Sequence, residues 1–364
     1  MPSGERRRNL RIDNAKGILI TLVVIGHFLL PFAYRTRLTA NLFYAIYSFH
    51  MPAFVFASGM LSGNMFRRGR FRWDRVLTSL WVYLVFEVLV FFTEVPAYQM
   101  DLKWPDFLHE TGAPWYVLAL TFWYIPIRVL YPFRRRRAAI PVLALISVLC
   151  VAGGYLKGIG ELLALDRVIS FAPFFYAGYF LGVEGLERMF RRRPPLLMLA
   201  VFAGIALYIF FLFGSYDIVR QYAYTVYGAW YEYYQTELYY PFIQKNMWIL
   251  RFVWYLAAGC MTISFLYCVP TRRGFFTVTG QRTLQIYILH RLVRDIYLIL
   301  GLREFIDPEK PLHVFYLVVV GLAFSVVLRG DLITDIFNFI ENIPRGILSW
   351  ISDRTDRTVT DNSG

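Results

Sequence analysis

Four ionisable side chains stand out inside the long apolar runs of this 364-residue chain: His27, His50, Glu87 and His290. A titratable group at bilayer depth is costly to keep, so each is a candidate for chemistry. His27 has a notable neighbour in sequence. Lys16 precedes it by 11 residues, about three helical turns, so the two share one face with a rise of roughly 16 Å between them. Lys16 would sit at the cytoplasmic edge and His27 near the middle of the bilayer. A cation at the mouth and an imidazole half-way down one stripe suit an anionic ligand whose reactive end reaches the ring. A snorkelling lysine and a histidine that only bonds a neighbouring helix fit the same spacing.

The other three have structural readings beside their catalytic ones. His50 lies in Ser48-Phe49-His50-Met51-Pro52. Pro52 removes a ladder bond and frees a carbonyl around Ser48, which the imidazole could satisfy. His290 is followed by Arg291, Arg294 and Asp295, and Arg291 and Asp295 stand at i, i+4, where they could neutralise each other. Glu87 is expected to pair with a histidine or arginine of another helix. His109 and His313 fall at outer boundaries, where water reaches them. No nucleotide-binding glycine loop, zinc spacing or serine elbow is present.

These groups must be positioned by membrane helices. The chain is 57% hydrophobic, 19% aromatic and 17% charged, against about 25% charged in soluble domains. Ten apolar runs approach the roughly 17–25 residues a bilayer demands: 16–34, 39–61, 76–95, 114–132, 138–156, 168–183, 195–214, 246–268, 284–300 and 313–328. Basic clusters fall on every second connection. They are Arg6, Arg7, Arg8 and Arg11, then Arg67 to Arg75, Arg134 to Arg137, Arg188 to Arg193, and Arg272 to Arg282. The alternation predicts an all-α, polytopic protein with about ten transmembrane helices and both termini cytoplasmic. The first helix is read as retained, because 1–16 is long for a signal-peptide n-region and no small-residue cleavage site follows Leu30.

Residues 1–329 are therefore read as one membrane domain, 330–352 as a cytoplasmic amphipathic helix and 353–364 as a disordered tail. In the amphipathic segment Ile333, Ile336, Phe337 and Ile340 recur at helical spacing beside Asp331, Asp335 and Glu341. The connection 215–245 holds nine tyrosines and Trp230, and is expected to form a tyrosine-rich skirt at the membrane interface in preference to a ligand platform. Gly59 with Gly63, and Gly178 with Gly182, make small-xxx-small pairs for close helix packing. Cys150, Cys260 and Cys268 lie in apolar runs and are read as packing residues. A net charge of +13 taken alone suggests nucleic acid, but the arginines form topology clusters instead of one basic face.

At this point the residues resemble a known family. Asp13-Asn14-Ala15-Lys16-Gly17 leading to Val24-Ile25-Gly26-His27 is similar to the first helix of the type 3 membrane acyltransferases, above all the branch akin to fucose 4-O-acetylases and other sugar O-acetyltransferases. The likeness runs on through Tyr47-Ser48-Phe49-His50-Met51-Pro52 and Phe56-Ala57-Ser58-Gly59. It continues in the Arg-x-x-Arg of Arg72 and Arg75, in Trp115-Tyr116-Val117 and in Tyr287-Ile288-Leu289-His290. The resemblance implies transfer of an acyl group, usually acetyl, from cytoplasmic acyl-CoA to a carbohydrate or natural-product hydroxyl in the cell membrane. It makes His27 the central imidazole. Lys16 stands where many members have arginine, and it supplies a cation without the bidentate grip on phosphate.

Combined with the spacing, the resemblance implies coenzyme phosphates on Lys16, Arg72 and Arg75, and His27 as general base or acyl carrier. His50 would orient the acceptor or thioester, and Glu87 or Asp13 would set an imidazole tautomer. Trp115, Tyr116 and His290 would contact the acceptor. Acetyl-CoA is a co-substrate, with no permanent cofactor and no metal. The implied partners are the lipid bilayer, acyl-CoA, a glycan acceptor and, in a homo-oligomer, further copies of the chain. Three alternatives stay open: acylation of a natural product or lipid, a proton-coupled transporter or flippase of envelope precursors, and a non-catalytic assembly protein. Against a transporter stand the lack of an internal repeat and the basic cytoplasmic mouth.

Overall fold

Asn9 starts the first helix by accepting a hydrogen bond from the Ile12 amide at 3.1 Å, with Asp13 in the first turn. The resulting α1 (Leu10–Leu29) has 20 residues and is about 30 Å long, the thickness of a hydrocarbon core. The computed structural model describes residues 9–344 and 346, apart from 68, 102–105, 110–111, 113, 135–136, 159–161, 215–222, 234–235 and 237–239. The expected tail 353–364 and Arg6 to Arg8 lie outside the described residues.

The chain continues as α2 (Arg37–Tyr47) and α3 (His50–Leu61). Phe49 leaves the helical region between them, with φ −137° and ψ −23°, and Pro52 falls in the first turn of α3, where a missing N–H costs no ladder bond. A β-ribbon of β1 (Phe66–Arg67) and β2 (Arg70–Phe71) leads into α4 (Trp73–Ala97). Then come α5 (Trp115–Tyr124), α6 (Ile127–Leu130), α7 (Ala139–Gly153), α8 (Leu165–Arg192) and α9 (Pro195–Phe213). The outer connection carries two short helices, α10 (Ala223–Tyr227) and α11 (Pro241–Lys245). The last helices are α12 (Met247–Cys268), α13 (Phe275–Gln281), α14 (Thr283–Ile299), α15 (Pro311–Val327) and α16 (Asp331–Pro344).

The protein is all-α. Among the described residues six helices are long and apolar enough to cross a membrane, or up to eight if two bent pairs each count as one span. The expectation of ten differs for physical reasons. The fifth run folds into α7, only 15 residues long. The ninth forms α14, whose Arg291, Arg294 and Asp295 lower its hydropathy. In the fourth, the chain bends by 41° between Tyr124 and Ile127, beside Pro126. The last pair is bent by 65°, and α16 folds against α4, where Trp81 Nε1 donates to the Ile340 carbonyl at 3.2 Å. Phe337 is buried there, whereas Ile336, expected on the apolar face, is exposed.

The basic connections gather at one end of the bundle. Arg11 pairs with Glu187 at 3.0 Å and donates to the carbonyls of Leu266, Tyr267 and Val269. Arg134 donates to Gly63 O and Tyr179 O, and Arg282 reaches Asp331. Asn14 is buried and donates to the Pro270 and Arg272 carbonyls, both at 2.8 Å, while accepting from Thr277. The first motif is thus partly a device for docking α1 against the α12–α13 connection. Cys150 is buried, but Cys268 is exposed and does not pack as expected.

The two small-xxx-small pairs split in use. A Cβ at Gly59 would run into the Phe175 carbonyl, and one at Gly178 into that of Phe56. These two glycines let α3 and α8 touch backbone to backbone. Gly182 instead sits at φ +63°, ψ 167°, and interrupts α8. Gly178→Val is expected to lower stability by about 1–3 kcal/mol through overpacking, seen as a lower thermal midpoint of the detergent-solubilised protein. An unchanged midpoint would contradict the packing.

Candidate active site

A cavity of about 460 Å³ lies in the half of the bundle opposite the basic end. Its wall is built from the C-terminal half of α1 and the residue after it (Val23, His27, Leu30), the α2–α3 break (Tyr47, His50, Met51), and the starts of α5 (Trp115) and α8 (Asp166, Arg167, Phe171). Tyr287 and Arg291 of α14 close another side. Val226, Tyr227, Ala229 and Tyr233 of the outer connection complete it. The lining is largely aromatic, with a few charged groups converging on it, which is the usual make-up of a small-molecule site.

Two of the three membrane histidines line this cavity, and the third stands directly behind. His27 is partly accessible in the wall. The His290 ring, fully buried, lies 4.9 Å from the His27 ring, centre to centre, at an interplanar angle of 54°. His50 acts on His27 electrostatically and packs edge-on to Tyr47 at 4.7 Å. Backbone carbonyls set two of the tautomers. His50 Nδ1 donates to Ile46 O at 2.9 Å, and His290 Nδ1 donates to Ile286 O at 3.1 Å. A carbonyl only accepts, so each of these rings, when neutral, presents a bare Nε2. The expectation that Pro52 frees a carbonyl near Ser48 for His50 is not met: Pro52 costs α3 no ladder bond, and His50 bonds Ile46 O, which also accepts from the Phe49 amide at 3.3 Å.

Behind the histidines α4 and α14 share a charge network. Arg291 pairs with Glu94, and Arg294 with Asp295 at 3.0 Å and with the Tyr98 hydroxyl. Thr93 donates to the second oxygen of Asp295 at 3.0 Å. The i, i+4 pairing of Arg291 with Asp295 expected from sequence is thus replaced by a partner on another helix. Glu87 lies close enough to Arg291 to act on its charge. It does not set either carbonyl-bonded tautomer.

The remaining expected residues divide. Trp115 is in the cavity wall, with the Arg167 guanidinium 5.7 Å from the centre of its ring. Tyr116 is buried outside the wall, its hydroxyl 2.5 Å from Ser58 Oγ. Lys16, Arg72 and Arg75 do not line the cavity. Lys16 is three turns from His27 toward the basic end, Arg72 is held by Asp74 at 2.6 Å, and Arg75 donates to Asn64 at 2.8 Å. His109 is exposed and bonded to Asp106 at 2.9 Å, while His313 accepts from the Asp307 amide at 3.0 Å.

Sequence reading missed three features. Asp166 is buried, accepts from the Arg167 amide at 2.7 Å, and faces the cavity with Arg167, which also donates to Gly112 O at 3.1 Å. Tyr227 and its neighbours do not form a skirt, since Val226, Trp230 and Tyr231 are buried. Val226, Tyr227, Ala229 and Tyr233 of this connection line the cavity, whereas Tyr240 and Phe242 are exposed. The third is Arg251, fully buried in α12. It donates to Ser170 Oγ and to Ala229 O, and its guanidinium packs on the rings of Tyr231 and Trp254 at 5.4 and 5.7 Å. A lone arginine in an apolar run of 22 residues was the available signal.

Arg251 fastens the covering segment to α8. Losing a hydrogen bond from a charged donor costs about 1.5–3 kcal/mol. Arg251→Met is therefore expected to speed amide hydrogen exchange across residues 226–233 by about 10- to 100-fold. Exchange at the wild-type rate would show that the segment is held by other contacts.

Comparison with known proteins gives the family. A family model described as an acyltransferase domain matches residues 9–330. The chain is 34% identical over 145 residues to the nodulation protein NolL of Mesorhizobium japonicum, covering 37% of this chain and 39% of that protein. With the nodulation protein NolL of Sinorhizobium fredii it shares 43% identity over 74 residues, 19% of this chain and 20% of that one. The matches thus span about two fifths and one fifth of these relatives' lengths. No solved structure matches the chain.

Proposed function

The chain belongs to the family of membrane acyltransferases, and from that premise we propose that it moves an acetyl or other short acyl group from acyl-CoA to a hydroxyl of a carbohydrate or glycan acceptor. The observation that carries the reading is His27 in the wall of an aromatic-lined cavity, in a chain of this family. Aromatic faces such as Trp115 suit the apolar side of a sugar ring. Asp166, Arg167 and Arg291 supply hydrogen-bonding groups for its hydroxyls. The acceptor occupies this cavity, and the acyl-CoA approaches from the basic end, where Lys16, Arg72 and Arg75 offer cations to its phosphates.

His27 acts as general base. As the acceptor oxygen attacks the thioester carbonyl, the imidazole takes the hydroxyl proton. The C–O ester bond forms, the C–S bond breaks, and the proton passes to the departing thiolate. His50, with a bare Nε2 at the wall, orients the acceptor or the thioester. Burial of the reacting groups between helices limits loss of the thioester to water.

In this reading there are ten crossings with both termini cytoplasmic, in the cell membrane. The gathering of Arg11, Arg134 and Arg282 at one end of the bundle supports it. The test is thiol release from acetyl-CoA by purified protein in nanodiscs, with mass spectrometry of surface glycans from cells with and without the chain. Acetyl esters present only with the chain, together with thiol release, are expected. Unchanged glycans and an intact thioester would reject the proposal.

A further inference from the structure

The two imidazoles packed against each other are aligned for a job that neither does alone. His290 spends its Nδ1 proton on Ile286 O, so its Nε2 is a bare acceptor. That Nε2 is buried and has no hydrogen-bond partner among the described residues, and the same is true of His27 Nδ1. A buried polar atom without a partner is uncommon and calls for a reason. The ring centres are 4.9 Å apart. An N–H···N bond of about 3 Å between two imidazoles puts their centres roughly 5 Å apart, so the ring spacing fits a bond between the two atoms.

We propose that His290 is a positioning residue whose Nε2 accepts the Nδ1 proton of His27, fixing His27 in the tautomer that turns a bare Nε2 toward the cavity. The chain of bonds runs from His27 Nδ1–H to His290 Nε2, and from His290 Nδ1–H to the Ile286 carbonyl. His290 does here what a carboxylate does in a catalytic triad, holding the base in orientation and tautomer. It brings no charge into the bilayer in doing so. His290 neither gains nor loses a proton during transfer. Of the carboxylates around Arg291 and Arg294, Glu94 is paired with Arg291, Asp295 is paired with Arg294, and Glu87 acts on the charge of Arg291.

The catalytic consequence rests on the acyl-transfer reading, but the tautomer can be read without any acceptor. The chain has five histidines, few enough to assign by single substitution. Nitrogen-15 NMR of the histidine-labelled protein in nanodiscs is expected to show His27 protonated on Nδ1 and bare on Nε2, with a scalar coupling across to His290 Nε2. His290→Gln supplies another acceptor and should keep the tautomer and much of the turnover. His290→Leu should release the tautomer and lower the turnover of acetyl-CoA about 100-fold at little change in KM. A wild-type His27 protonated on Nε2 would overturn the proposal, as would a folded His290→Leu protein with the wild-type spectrum. If the wild-type spectrum is as expected but no thioester is consumed, acyl transfer is rejected while the pairing stands.

Discussion

Alanine in place of His27 is expected to lower acyl transfer about 10³-fold while leaving the KM for acetyl-CoA near its starting value. The size follows from the role. A base that removes the acceptor proton in the transition state contributes about 10² to 10⁴ in rate. His50, its Nδ1 held by Ile46 O, lines the same cavity in an orienting role, and His290 does not line it. The fold should survive, because His27 is a half-buried residue in a cavity wall. Thiol release and acetyl transfer by the purified variant would measure this. Wild-type turnover in folded His27→Ala protein would remove His27 from the mechanism and leave only the family membership.

Much of the scaffold was legible because membrane helices announce themselves one at a time. Each must be apolar over its own length, and each cytoplasmic end collects arginine, so α1, α4, α9 and α12 can be found without knowing their neighbours. The site was partly legible for the same reason, since a histidine in lipid-depth sequence has few innocent explanations. Relations between helices were not legible. Nothing local distinguishes Arg291 paired with Asp295 from Arg291 paired with Glu94, 197 residues away in the chain. Nothing in 215–245 says that Trp230 and Tyr231 turn inward, because a tyrosine suits an interface and a buried cavity lid equally well. Of the two failures of span length, α7 is apolar and simply short, whereas α14 arises where a neighbouring helix supplies what lipid would otherwise demand. α14 buries Arg291, Arg294 and Asp295 against α4 instead of presenting them to hydrocarbon.

That same burial sets up the largest effect expected on stability. Asp295 is fully buried and Arg294 nearly so, at 4% side-chain exposure, with 3.0 Å between them. The carboxylate has both oxygens engaged, one by Arg294 and the other by Thr93. Asp295→Ala would leave the Arg294 cation with the Tyr98 hydroxyl in a medium that solvates charge poorly, beside the second cation of Arg291. Removing one member of a buried ion pair costs about 3–5 kcal/mol, so the variant is expected to unfold at a much lower temperature or to fail to accumulate in the membrane. The pair as a whole is a different matter. Exchanging both residues for apolar ones of similar volume, Arg294→Met with Asp295→Leu, removes the desolvation penalty along with the attraction and should restore most of the loss. Thermal unfolding of the two proteins in the same detergent separates the explanations. If the double variant is as unstable as the single one, α4 and α14 are held together by the shape of these side chains and by Thr93 and Tyr98, and the charges are incidental. If the single variant is as stable as wild type, water reaches the network and the bundle is open there.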